Sequence, residues 1–366
     1  MLRACLEGVR RIIPNARVTV TSSAPAWTGC EYGVRSIERL AVARTPDAQG
    51  WQARQLVASA ARDRDLVLAP TDQVVLAEVA AADVVVLAGG GNVCSLYPGL
   101  LQERLAIGAL ARWREVPLVV VSQTIGPTLA RADVSAVCRL LGGASVVGVR
   151  EQFSLTMLRS LGLRAHLQLD DALPLESTLR NPEPYIALTM HHSQRGLDLG
   201  AMAKALDGLA RQTGWRLVFV SHFESATPEW SDVRTAEELA ARLTADLEIL
   251  PIQRVQDTME VTSRASLVVS TRYHPLVFGL GMGVPCVGVV QDAYHHVKLA
   301  GALAHAGLGE LAVPATSPRL TDTLRDVASR RQEIVTSILA CRARWDALRE
   351  AHDARVRAAL LQAVNA

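Results

Sequence analysis

The chain has 366 residues, 49% hydrophobic and 20% charged, with a formal net charge of +2. That length exceeds the roughly 250–300 residues at which a single core stops growing, so two domains are expected. No apolar run reaches the ~20 residues of a membrane span and no signal-peptide pattern opens the chain, which reads as cytoplasmic, and the balanced charge gives no reason to expect nucleic acid.

An amphipathic helix carrying Leu2, Leu6, Val9, Ile12 and Ile13 comes first, and Val18 to Thr21 reads as the next strand. A doubly wound sheet normally begins with a strand and a glycine-rich turn before its first helix, and this opening has neither. Further strand-like runs follow at Val84 to Ala88, Leu118 to Ser122, Ser145 to Val149, Ile186 to Met190, Leu217 to Val220, Leu267 to Ser270 and Cys286 to Val290. They alternate with helical patterns, the signature of βα units around parallel sheets. The stretch from Pro174 to Pro184 contains three prolines and little periodicity, so it reads as a linker between two sets of strands. From residue 319 the apolar positions Leu320, Leu324, Val327, Ile334, Ile338 and Leu348 recur at helical spacing. The expected organisation is a Rossmann-like domain over 1–175, a second over 185–318 and a helical segment over 319–366, whose last helix crosses back to the first domain.

The six cysteines lie far apart without metal-ligand spacing and read as small buried hydrophobes in a reducing compartment. Neither a metal nor an organic cofactor is called for. Of the 38 Lys+Arg residues only Lys204 and Lys298 are lysine, so a lysine close to a site stands out. The terminal helix is rich in arginine, including Arg342, Arg344, Arg349, Arg355 and Arg357; a solvated surface is the preferred reading, with peripheral contact to an anionic membrane second.

The most informative stretch is Ser270-Thr271-Arg272-Tyr273-His274-Pro275. It ends an apolar strand and leads into a small-residue helix, the way open α/β sheets build anion sites. Three other segments follow strands: Gly89-Gly90-Gly91-Asn92, Ser122 to Pro127, and Val149 to Ser154 with the later Leu169 to Leu173. Two further histidine-bearing segments, His191-His192 and Ser221-His222, follow strands of the second set and read as polar lining, since metal spacing is absent.

Taken in order, these four segments resemble the polysaccharide pyruvyltransferase family over roughly residues 1–310. The resemblance implies two Rossmann-like domains facing a cleft in the GT-B-like manner. It also implies transfer of the enolpyruvyl unit of phosphoenolpyruvate onto two hydroxyls of a glycan or lipid-linked sugar, forming a pyruvate ketal. Arg272 is then expected to grip the carboxylate or phosphate with its planar fork, His274 to act as general acid, and Lys298 to hold the leaving phosphate. Ser270 joins the same site. Arg150 is expected to reach the donor or to form a local ion pair with Glu151, and Asp170 to deprotonate an acceptor hydroxyl, orient a cation or cap a turn. Gly89, Gly90, Gly91, Asn92 and Gln123 form the acceptor side in the first domain, with the glycines allowing close backbone approach or making a tight turn. His295 and His296 line the site or cap a helix.

The chain departs from the family pattern in two places. Asp171 stands where a proline is usual, and the opening strand with its Gly-Asn-x-Gly-Asp-Glu-like turn is missing. An upstream start, or a truncated and inactive form, is the expectation drawn from the second. Two alternatives stay open: a GT-B-type glycosyltransferase using a nucleotide sugar, with Glu224 or Asp232 gripping the ribose, and an inactive glycan-binding homologue.

Overall fold

A computed structural model describes residues 2–41, 70–174, 181–191, 197–224, 231–251 and 254–364. His192 and the linker residues 175–180 lie outside the described residues. The chain forms two compact units, one of residues 1–171 with 348–366 and the other of residues 172–347.

In the first unit the elements run α1 (Leu2–Ile12), β1 (Thr19–Ser22), α2 (Pro25–Tyr32), β2 (Arg35–Glu38), α3 (Pro70–Ala81), β3 (Val85–Leu87), β4 (Gly90–Val93), α4 (Pro98–Trp113), β5 (Leu118–Ile125), α5 (Arg131–Gly142), β6 (Val146–Val149), α6 (Gln152–Ser160) and β7 (His166–Leu167). A parallel sheet is ordered β3-β5-β6-β7 with β4 also paired to β5, and β1 and β2 make a separate parallel pair. All eight residues of β5 are buried, which is why this strand reads as one continuous run. The larger core gathers Leu101, Leu110, Val137 and Leu158 on Val120, Ile125 and Val149. A smaller core holds Val119, Val121 and Val146 with Ala359 and Leu360 of the terminal helix, and Cys5 and Ile12 of α1 pack on it with the following Ile13. The opening helix is amphipathic because it covers this sheet.

The second unit carries β8 (Tyr185–Thr189), α7 (Leu199–Thr213), β9 (Arg216–Val220), α8 (Asp232–Ala240), β10 (Leu247–Leu250), α9 (Val255–Arg264), β11 (Leu267–Ser270), α10 (Tyr273–Gly281), β12 (Cys286–Val290), α11 (Ala293–Ala304) and β13 (Ala312–Pro314), then α12 (Leu320–Ser329), α13 (Arg331–Ala340) and α14 (Arg342–Val364). Its six parallel strands are ordered β10-β9-β8-β11-β12-β13. The chain works outward from β8 to β10, then returns to lay β11 on the other side of β8. The strand order therefore reverses between β8 and β11, the place where open α/β sheets leave a crevice beyond their carboxyl ends. The first residues of α14 belong to this unit, with Trp345 fully buried and its indole donating to the His305 carbonyl at 2.9 Å, while residues from Leu348 onward belong to the first.

Five short strands, β2, β4, β7, β10 and β13, were not expected from the sequence. The glycine run is one of them: Gly90 opens β4, paired to Gln123, so it extends the sheet instead of turning directly into a helix. Among the described residues no helix is long and apolar enough to cross a membrane.

Helix α10 sits close enough to β11 and β12 that a Cβ on Gly279 would lie 2.5 Å from Cys286 Sγ and 3.2 Å from Val268 Cγ2. Both neighbours are fully buried, so neither can yield without disturbing the sheet. Gly279→Ala is therefore expected to destabilise the protein by about 1–3 kcal/mol, the range of overpacked cores. A urea midpoint equal to wild type would contradict this packing.

Candidate active site

At the carboxyl edge of the second sheet, three loops are tied to one another by short polar contacts. The Ser270 hydroxyl accepts from the Arg272 amide at 2.8 Å and lies 3.0 Å from the carbonyls of Thr189 and Arg272, so it shapes the turn after β11. The Thr271 hydroxyl accepts from the His191 amide at 2.7 Å, and Gln291 donates to the His191 carbonyl at 3.2 Å. The ends of β8, β11 and β12 are thereby fastened together at the reversal point.

Arg272 is aimed by a carboxylate that the motif did not announce as its partner. Asp232, fully buried in the first turn of α8, accepts from Arg272 Nε at 2.9 and 3.1 Å, from Nη2 as well, and from the amides of His222 and Phe223 at 3.0 Å each. Arg272 Nη2 also lies 3.2 Å from His191 Nδ1, and its guanidinium carbon stands 5.3 Å from the Phe223 ring centroid. The side-on fork, expected for the donor, is thus engaged by Asp232, and Asp232 is not available to a ribose.

The remaining site residues gather around Arg272. The Tyr273 ring meets His274 edge-on at 5.4 Å and faces Lys298 Nζ at 5.6 Å. Lys298 Nζ is 4.7 Å from the Tyr294 ring and donates to its hydroxyl at 3.3 Å. His274 and His222 both lean on Phe278, with centroids 6.0 and 6.3 Å away. Burial, together with the His274 and Arg272 charges, pushes His222 down to about 3, which keeps it neutral. His295 is also lowered, mainly by burial and further by Lys298 and Arg272, although Asp292 opposes the shift. Asp292 caps α11 through the His295 amide at 2.8 Å, and His296 is exposed. Arg272, His274 and Lys298 therefore share one field, in which Asp232 is the buried counter-charge.

The first unit holds a different kind of edge. Arg150, 2% exposed, donates to Asp170 at 2.7 Å and to Glu151 and Thr124 at 3.0 Å each. Glu151 accepts from the Thr124 and Ser154 hydroxyls at 2.6 and 3.3 Å. Arg150 and Asp170 are thus brought together, in a buried ion-pair network rather than as exposed groups. β5 carries a bulge where Ser122 adopts φ +54°, and the Ser122 hydroxyl accepts from the Asp171 amide at 3.2 Å. Gln123, immediately after the bulge, is fully buried and sits beside Gly90 and Asn92. Gly89 precedes β4, and the Gly91 carbonyl accepts from Cys94 Sγ at 3.6 Å. Sequence reasoning missed Arg104 on α4, whose Nη2 reaches the same place; a mid-helix arginine carries no motif signal. Among the described residues no three His, Cys, Asp or Glu side chains gather as a metal site.

Comparison with known proteins agrees with this architecture. The family model described as polysaccharide pyruvyl transferase matches residues 1–292. No curated protein matches the chain. Among solved structures, Anabaena HepE in complex with UDP-glucose is 15% identical, covers 99% of this chain and 94% of its own, and has a TM-score of 0.58. UDP-GlcNAc 2-epimerase from Neisseria meningitidis, bound to UDP-GlcNAc, is 9% identical over 93% of this chain and 91% of its own, with a TM-score of 0.57. A substituted form of Os79 from O. sativa in complex with UDP is 13% identical over 98% of each chain, with a TM-score of 0.59. At these identities the likeness is one of fold, and the fold is GT-B-like.

Asp171 gives the first-unit network a titration of its own. Desolvation and the neighbouring Asp170 push its carboxyl up to about 7 from 3.8, against the downward pull of Arg349 and Arg150. Its charge in turn helps raise the Cys5 thiol to about 12, after burial. Between pH 4 and 7 the folded protein therefore binds a proton that the unfolded chain releases, and stability attributable to Asp171 falls as pH rises. Asp171→Asn removes this titration. Its stability relative to wild type should climb across that window and level off above pH 7, by on the order of 1 kcal/mol or more. Urea unfolding of both proteins at pH 5 and 8 checks this; a pH-independent difference would refute it.

Proposed function

Because this chain belongs to the polysaccharide pyruvyl transferase family, we propose that it moves the enolpyruvyl group of phosphoenolpyruvate onto two hydroxyls of a sugar in a cell-surface polysaccharide precursor, forming a pyruvate ketal. The observation that carries this reading is the gathering of Arg272, His274 and Lys298 around Tyr273 at one strand edge. Phosphoenolpyruvate bears a carboxylate and a phosphate, so a site for it needs more than one cation. Arg272, paired with the one buried carboxylate Asp232, and Lys298, set against Tyr273 and Tyr294, supply the two cations.

In this reading Arg272, held side-on by Asp232, turns Nη1 and its outer edge to the donor, and Lys298 receives the phosphate. His274 delivers a proton to the methylene carbon as the first sugar oxygen bonds to C2, and the proton that this hydroxyl loses replaces the one His274 gave up. The second sugar oxygen then displaces phosphate from C2, and its proton leaves with that phosphate. The products are the ketal and inorganic phosphate, with no change of oxidation state and no further co-reactant. Neutral His222 and the Phe278 ring pack beside His274 and limit its choice of rotamers. Arg150 and Asp170, buried against each other, enter as supports of the first unit's sheet edge, and Gly90, Asn92 and Gln123 of that unit serve the acceptor. Phosphoenolpyruvate as donor implies action in the cytoplasm.

The nucleotide-sugar alternative needs an acidic residue free to take a ribose. Of the two acids that alternative calls on, Asp232 is fully engaged by Arg272 and two backbone amides, which favours phosphoenolpyruvate.

Calorimetric titration with phosphoenolpyruvate and with UDP-glucose separates the readings. Saturable phosphoenolpyruvate binding that is lost in Arg272→Ala is expected, and binding of the nucleotide sugar alone would reject the proposal. His274→Ala should slow phosphate release, in the presence of a glycan-precursor fraction, by about 100-fold or more while changing donor affinity only a few-fold, because a proton donor acts in the transition state. Arg272→Lys should still be impaired, since one ammonium cannot hold Asp232 and the donor together. Wild-type turnover in either variant would remove that residue from the mechanism.

A further inference from the structure

One buried acceptor in the first unit has no hydrogen-bond partner among the described residues. Gln123 Nε2 donates to the Ala88 carbonyl at 2.6 Å and faces the Leu87 carbonyl at 3.5 Å, which fixes the orientation of the amide. Its Oε1 consequently points the other way, buried and with no hydrogen-bond partner. Buried acceptors are seldom left so, because the lost hydration is costly.

What Oε1 faces is the space beside Gly90. At the point a Cβ would occupy on that residue, Arg104 Nη2 and Gln123 Oε1 are each 3.7 Å away and Asn92 Nδ2 is 3.8 Å away. Two donors and one acceptor surround one small volume. The adjacent buried carboxylate, Glu103, is held by Arg39 at 3.0 and 3.1 Å and lies 3.9 Å from Arg104 Nη1, which also donates to the Leu100 carbonyl at 3.1 Å, so Nη2 is the end of Arg104 turned to the notch. The notch owes its shape to register shifts on both sides, between Gly90 and Val93 on β4 and between Val120 and Gln123 on β5. Those shifts turn Gln123 toward Gly90.

The donor set decides what fits. A carboxylate or phosphate oxygen would meet the lone pairs of Gln123 Oε1, and an ammonium would meet the Arg104 cation. A hydroxyl can do both jobs, donating to Gln123 Oε1 while accepting from Arg104 and Asn92. We propose that the Gly90 notch holds one sugar hydroxyl, with Arg104, Asn92 and Gln123 as its three partners and Arg104 as a specificity residue. This deepens the reading of the first unit as the acceptor side and rests on it.

Gly90→Ala is a clean test, since its added methyl would meet all three groups at ordinary contact distance and the residue does not adopt a positive φ. The variant should unfold at the wild-type urea midpoint. Saturation-transfer NMR with the methyl glycosides of glucose, galactose and mannose should detect binding of at least one by wild type, and tenfold or greater weakening in Gly90→Ala. Arg104→Gln, which keeps an amide donor, should weaken the same glycoside a few-fold. Phosphoenolpyruvate affinity should be equal in wild type and Gly90→Ala. Equal glycoside affinity in wild type and Gly90→Ala, or no glycoside binding by wild type, would overturn the proposal, as would displacement of the glycoside by inorganic phosphate or loss of phosphoenolpyruvate binding in Gly90→Ala. If wild type binds a glycoside at the notch but not phosphoenolpyruvate, the donor reading fails and the hydroxyl site stands.

Discussion

A single buried carboxylate organises the second unit's functional edge. Asp232 takes the Arg272 fork and the amides of His222 and Phe223, so the loop after β9 and the loop after β11 converge on one charge. An isolated carboxylate with no exposure would be severely penalised, and these donors make it tolerable. Its place in the first turn of α8 adds the favourable end of a helix dipole. Arg272 in turn sets His191, and Ser270 sets the turn that carries Arg272. The cation at the reversal point is therefore a fixed group and not a mobile surface arginine.

The two units share the parallel βα plan but arrange charge differently at their strand ends. In the second, Arg272 faces Asp232 with neutral His222 beside them, and Lys298 lies against the Tyr273 and Tyr294 rings. In the first, the carboxylates of Asp170, Glu151 and Asp171 surround Arg150, which absorbs the positive charge inside the fold. In the proposed reading the edge that carries Arg272 and Lys298 takes the anionic donor. The other, whose open feature is an amide-lined notch, suits neutral hydroxyls.

The strands most plainly legible in the sequence are those buried on both faces, because burial writes an uninterrupted apolar run; β5, β8 and β12 are buried along their whole length, while β1 and β3 are read despite partial exposure. The missed ones owe their existence to a neighbour. β4 is Gly-Gly-Asn-Val and β7 only His166–Leu167, and each is a strand because an established one offers it hydrogen bonds. The same division holds for function. Arg272, His274 and Lys298 stand out as candidates because a strand end, a rare lysine and a following helix are local signals. Asp232 lies 40 residues from Arg272 and Arg104 lies mid-helix, so their contacts arise only once the chain is folded. Ser270 had the opposite fate: its place at a strand end suggested a ligand, and the fold uses its hydroxyl inward.

The terminal helix carries a consequence for biogenesis. Ala359 and Leu360 complete a core whose other members, Val119, Val121 and Val146, are made more than two hundred residues earlier. The second unit is an uninterrupted stretch inserted into the first. On the ribosome it can therefore finish folding while its host still lacks a wall, and the first unit closes only when the end of the chain emerges. A premature stop in the last twenty residues would spare the inserted unit and expose the apolar face of the sheet that receives α1.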